Sequence, residues 1–77
     1  MEAKANAIKE HMYSWLLSEI GEAQAAGVPV RVDGTYYSLQ EAEQLKMVME
    51  DSYYMKSYEG DEYGNIVRID FDHIDSI

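Results

Sequence analysis

The 77-residue chain has no cysteine, one proline, and only six lysines and arginines to set against fifteen aspartates and glutamates. Without cysteine there is neither a disulfide nor a thiolate metal site, so the fold has no covalent staple. No apolar run approaches the roughly 20 residues that cross a bilayer. The N-terminus also lacks the basic region and apolar stretch of a secretory signal. The expectation is a cytoplasmic protein with no membrane partner. The scarcity of bases, net charge −9, argues against direct contact with nucleic acid or anionic lipid, whose phosphates would repel the chain. GxGxxG, P-loop, HExxH and nucleophile-elbow patterns are missing, so no enzyme and no cofactor are expected.

Much of the rest is fold-forming. Apolar residues make up 47% of the chain, with seven tyrosines, a tryptophan and a phenylalanine. That is enough to place it among globular rather than disordered sequences, as one domain over residues 1–77. Ile8, Met12, Trp15, Leu16, Ile20 and Ala23 recur every three or four residues, which predicts a helix from about Ala3 to Ala26. Gly21 is a point of weakness where that helix could bend or end early. Gly27 and Pro29 mark its end. Val28–Val32 and Thr35–Tyr37 flank Asp33-Gly34, a pair suited to a type I′ hairpin turn. Ser38 and Glu41 have the spacing of a capping box and start a second helix, expected to reach about Glu50. It draws its buried face from Leu39, Ala42, Leu45, Val48 and Met49, and ends on Glu50-Asp51, a poor match for the helix dipole.

Two further β-rich runs, Tyr53–Tyr58 and Ile66–Ile74, complete the order α-β-β-α-β-β. In the last, Val67, Ile69 and Phe71 alternate with Arg68, Asp70 and Asp72, as in a strand with one packed and one wet face. The expected class is α+β: a small antiparallel sheet with one long and one shorter helix packed on one face.

Charge is unevenly placed. Residues 1–49 carry seven acids and four bases, net −3; residues 50–77 carry eight and two, net −6. Asp70 and Asp72 should stand roughly 6.6 Å apart on one strand face. Glu59, Asp61 and Glu62 cluster in the loop before that strand, and Asp75 extends the row. Such a row presents negative charge to a basic groove, with Tyr58 and Tyr63 as anchors. The same acids also serve solubility and discourage edge-to-edge aggregation. His11 and His73 have no partner spacing for metal or catalysis and read as structural or surface residues, although His73 is near Asp72 and Asp75. The loop 59–65 lacks the ligand spacing of an EF-hand and reads as a turn.

On its size, missing cysteine, net charge and the Asp70/Asp72 and Glu59/Asp61/Glu62 clusters, the chain resembles the small acidic accessory proteins of phages and mobile elements. Anti-CRISPR proteins and other inhibitors that imitate DNA are among them. The resemblance implies a basic protein partner, itself nucleic-acid-binding, and assigns no individual residue. A rival expectation is a structural interaction module or homodimer joined through the first helix. Its motive is the wide arc of Met12, Tyr13, Trp15, Leu16 and Leu17, broader than one small sheet needs to cover.

Overall fold

A computed structural model describes residues 3–74, with side chains from residue 8 onward; Asp75 lies outside the described residues. Helix α1 (Ala3–Ala25) runs through Gly21 without a break. A methyl of Leu39 packs 3.6 Å from where a Cβ on Gly21 would sit. The periodic stripe is the core face: Met12, Leu16, Ile20 and Ala23 are buried, with Ile8 and Trp15 packed against them. Gly27 ends the helix at φ +76°. The Val28 N–H donates to the Ala23 carbonyl at 2.8 Å and the Gly27 N–H to the Gln24 carbonyl at 3.1 Å. This Schellman pairing satisfies the last carbonyls and turns the chain into the sheet.

Strands β1 (Val30–Val32) and β2 (Thr35–Tyr36) meet at Asp33 and Gly34, with φ +51° and +87°. Two positive φ values are what a type I′ turn requires. The Glu41 carboxylate then accepts the Ser38 N–H at 2.9 Å, the reciprocal contact of a capping box. The first turn is 3-10 (Leu39–Glu41), and α2 proper is short, Ala42–Val48. Met49 is already extended, so Glu50 and Asp51 stand beyond the helix. The unfavourable dipole contact expected from the sequence is thereby relieved. Leu45 and Met49 are buried, whereas Leu39 and Val48 are 41% and 57% exposed.

Strands β3 (Tyr54–Gly60) and β4 (Ile66–His73) complete a four-stranded sheet of order β2-β1-β4-β3. The α+β class and the element order are as expected, but the sheet is mixed, not antiparallel throughout. The central strands β1 and β4 pair in parallel, Val30 with Ile69, Arg31 with Asp70 and Val32 with Phe71. Here α2 and β3 together act as the crossover that a parallel pair needs. This register puts Val30, Val32, Ile69 and Phe71 on one face under the helices, where all four are buried. Each such side chain contributes about 1.5–3 kcal/mol by leaving water. Trp15 meets Phe71 edge-on, with ring centroids 5.1 Å apart.

The expected alternation fails at the start of β4. The pairing shifts between Glu59–Arg68 and Gly60–Ile66, so Val67 is an extra, bulged residue. It is 45% exposed and does not join Ile69 and Phe71 in the core. Among the described residues, no helix is long and apolar enough to cross a membrane.

Candidate functional site

The sheet face away from the helices gathers the charges. Arg31 on β1 stands beside Asp70 on β4, and Arg68 shares the strand face with Asp70. The Arg31 Nε donates to Asp70 Oδ1 at 2.8 Å, and Arg68 reaches both carboxylate oxygens at 3.0–3.1 Å. Glu59, opposite Arg68 on β3, closes the network at 3.7 Å, and Arg31 also lies over the Tyr36 ring at 5.9 Å. The hydrogen bond from Arg31, then those from Arg68, hold the Asp70 carboxyl below its ordinary value. Both guanidiniums are raised, chiefly by their bond to Asp70. Asp70 is therefore a structural counter-ion, and its negative charge is neutralised in place. Asp72, two residues on, is exposed and makes no ion pair among the described residues.

The loop acids divide in the same way. Asp61 accepts the backbone N–H groups of Tyr63 and Asn65, both at 2.9 Å, and the Asn65 side-chain amide at 3.3 Å. The Asn65 backbone bond is the leading cause of a lowered Asp61 carboxyl, against a smaller desolvation cost. The side chain thus shapes the β3–β4 turn, with Gly64 at φ +87°. Glu62 and Tyr63 are exposed at its tip. Tyr58 is elsewhere, on the helix side of β3, with the Lys56 ammonium 4.9 Å from its ring centroid. The candidate partner-binding residues thus fall in three places rather than on one face. Asp70, Asp72 and Glu59 are on the open sheet face, Asp61, Glu62 and Tyr63 at the hairpin tip, and Tyr58 beneath α1.

Three acids meet at the opposite end of the hairpin from its tip. A cleft of about 600 Å³ opens between the β1–β2 turn, the end of α2 and the last residues of β4. Val32, Tyr37, Val48 and Met49 form its apolar wall, and Asp33, Glu50 and Asp72 its acidic rim. Asp33 Oδ1 accepts the His73 N–H at 3.0 Å and faces His73 Nδ1 at the same distance, tying the turn to β4. His73 thus pairs with Asp33, a residue the sequence reading did not connect to it. The buried Tyr54 hydroxyl accepts the Glu50 N–H at 2.8 Å, and burial pushes its phenol up. Of these residues, sequence reasoning selected only Asp72. The available signal was the Glu50-Asp51 pair, ill-suited to a helix end and therefore placed outside it.

The arc on α1 is largely consumed by the fold. Met12 and Leu16 are buried, and Trp15 packs on Phe71. The Tyr13 hydroxyl donates to the Ala42 carbonyl at 3.1 Å while Lys46 covers its ring. Leu17 alone is half-buried and outside the core. Contact of Tyr13 with α2 takes up one edge of the arc that suggests a dimer seam. Among the described residues, no cluster of histidine and carboxylate side chains is arranged to hold a metal ion. The fold and surface define a small acidic α+β protein with an acid-rimmed cleft at one sheet end. No family model, curated protein or solved structure matches the chain.

Proposed function

We propose that the chain is a non-enzymatic binding protein whose acidic surface docks on a basic, nucleic-acid-binding surface of a partner protein and competes there with nucleic acid. An inhibitor of the anti-CRISPR or DNA-imitating type is the sharpest form of this reading. The observation that carries it is how the bases are used. Arg31 and Arg68 are held by Asp70, Lys56 by Glu19, and Lys46 lies over Tyr13. Internal pairing uses up much of the basic charge, and Glu10, Glu22, Glu43, Glu50, Glu62 and Asp72 face water without an ion pair among the described residues. Glu50 and Asp72 do so on the rim of a cleft whose apolar wall suits the stem of a lysine or arginine, with the carboxylates around its charged head.

The test is capture of a nucleic-acid-binding protein on the immobilised chain at low salt, followed by elution with salt or with a DNA duplex. Docking of this kind weakens steeply with ionic strength and is reversed by the duplex. The double charge reversal Glu50→Lys, Asp72→Lys is expected to lower affinity by about tenfold or more, as for truncated interface charge pairs. Capture that ignores salt, duplex and the double variant overturns the reading.

A further inference from the structure

Among the described residues, strand β3 leaves one side of its backbone without a strand partner. The Ile74 N–H donates to the Tyr53 carbonyl at 2.8 Å, which makes Tyr53 and Ile74 a hydrogen-bonded pair of the β3–β4 ladder. By the alternation of an antiparallel ladder, Met55, Ser57 and Glu59 then direct their N–H and C=O groups at β4. Tyr54, Lys56 and Tyr58 direct theirs away from the sheet. The far side of β4 agrees: the Ile69 N–H reaches the Pro29 carbonyl at 3.0 Å, and the Phe71 carbonyl accepts the Asp33 N–H at 2.8 Å. The opposite edge, β2, is only two residues long, and such brevity protects it. The β3 edge is seven residues long, and Met55 and Tyr58 on it and Tyr53 just before it are each more than half exposed.

An inward-pointing lysine is a common defence of such an edge. Lys56 occupies that position, but its ammonium is bound to Glu19 of α1, so the charge is already compensated within its own chain. What Lys56 still forbids is a register that sets it opposite itself. Moving the centre of a self-paired ladder by one residue, to Ser57, removes that clash. Lys56 then stands across from Tyr58 of the second copy, and Met55 across from Glu59. The Lys56–Tyr58 pairing repeats between copies a cation–π contact that the single chain already makes at 4.9 Å. In this register the outward groups of Lys56 and Tyr58 face each other as a hydrogen-bonded pair, while Ser57 meets its own copy as a non-hydrogen-bonded pair.

We propose that β3 pairs antiparallel with β3 of a second copy, about a two-fold axis through Ser57 perpendicular to the sheet, to make one eight-stranded sheet. The self-complementary register selects a second copy over a foreign strand. The interface differs from the α1 seam and does not depend on the acidic cleft. Its salt dependence is also the opposite of that expected for a basic partner. Each copy carries −9, so screening strengthens this association.

A chain without cysteine lets one introduced thiol report the register. In the proposed dimer, Ser57→Cys brings two thiols together across a non-hydrogen-bonded pair with Cα atoms about 4.5 Å apart, within disulfide reach. Met55→Cys, on the same strand face, leaves its thiols offset by four residues, roughly 13 Å. Under mild oxidation Ser57→Cys is expected to cross-link about tenfold or more faster than Met55→Cys. The unmodified protein should shift toward dimer in sedimentation equilibrium as salt is raised. Equal cross-linking of the two variants overturns the register. A monomer at every salt concentration overturns the pairing and leaves this edge to a strand from another protein.

Discussion

Asp70 and Asp72 sit two residues apart on one face of one strand, and they have opposite fates. Asp70, in mid-sheet, is clasped by Arg31 and Arg68. Asp72, nearer the strand end, lines the cleft with Glu50 and Asp33. Alternation along β4 makes the two equivalent. What separates them is the strand alongside: the parallel register places Arg31 at Asp70, and β1 ends opposite Phe71. An acid-rich stretch is therefore not by itself an acidic surface. The charge that faces water is what remains after neighbouring strands have supplied their cations.

That contrast is tested most strongly by removing each carboxylate in turn. Asp70→Ala strips two guanidiniums of a shared acceptor and leaves them facing each other. Hydrogen bonds to charged groups carry about 1.5–3 kcal/mol, and solvent screening on an open sheet face reduces the expected loss to about 1–2 kcal/mol. Urea denaturation measures it as a lower midpoint at unchanged slope. An Asp70→Ala variant as stable as the parent would mean that the clasp is electrostatically idle and that Asp70 is as available to a partner as Asp72.

The sequence pattern reaches local features and stops where distant strands meet. The α1 stripe, the Gly27 stop, the Asp33-Gly34 turn and the Ser38–Glu41 cap are each specified by residues within a few positions of one another. They appear as read, although the cap opens a 3-10 turn rather than an α-helical one. The β1–β4 pairing joins Arg31 to Asp70 across 39 positions, and no local pattern encodes it. Local patterns alone therefore predict a purely antiparallel sheet, and they carry no sign of the clasp on Asp70. The bulge at Val67 is equally silent, because Ile66-Val67 is good strand sequence in either phase. The cleft draws on β1, the end of α2, β3 and β4 at once, so the sequence marks only Asp72 among its acids as a candidate for binding.

A second, smaller effect concerns acid. Asp70 and Asp61 both have folded-state carboxyls below the ordinary value of 3.8, through the arginine bonds and the turn amides respectively. Where the folded value is depressed, the unfolded chain binds more protons across the window between the two values. The stabilisation is therefore complete above the ordinary value and disappears as pH falls from about 3.8 through the folded values. Denaturation midpoints for the parent and Asp70→Ala should differ most at neutral pH and converge at the acid end. A gap that stays constant down to the lowest pH would show that lost packing, not lost charge, explains the variant.

The smallest expected change is in stability at the cleft. Asp72→Ala removes an exposed carboxylate without an ion pair among the described residues and leaves the apolar wall of Val32, Val48 and Met49 untouched, so the shift should lie within about 0.5 kcal/mol. Relief of repulsion from Glu50 and Asp33 can make it slightly positive, more so at low salt. The pair of variants then separates two kinds of acid that composition counts alike: Asp70→Ala is expected to cost stability, and Asp72→Ala to leave it intact and, under the proposed function, to lower affinity for a basic partner. If Asp72→Ala destabilised the fold as much as Asp70→Ala, the cleft carboxylates would be structural as well. The acidic surface would then have to be sought at Glu62 and the hairpin tip, where no strand among the described residues offers a compensating base.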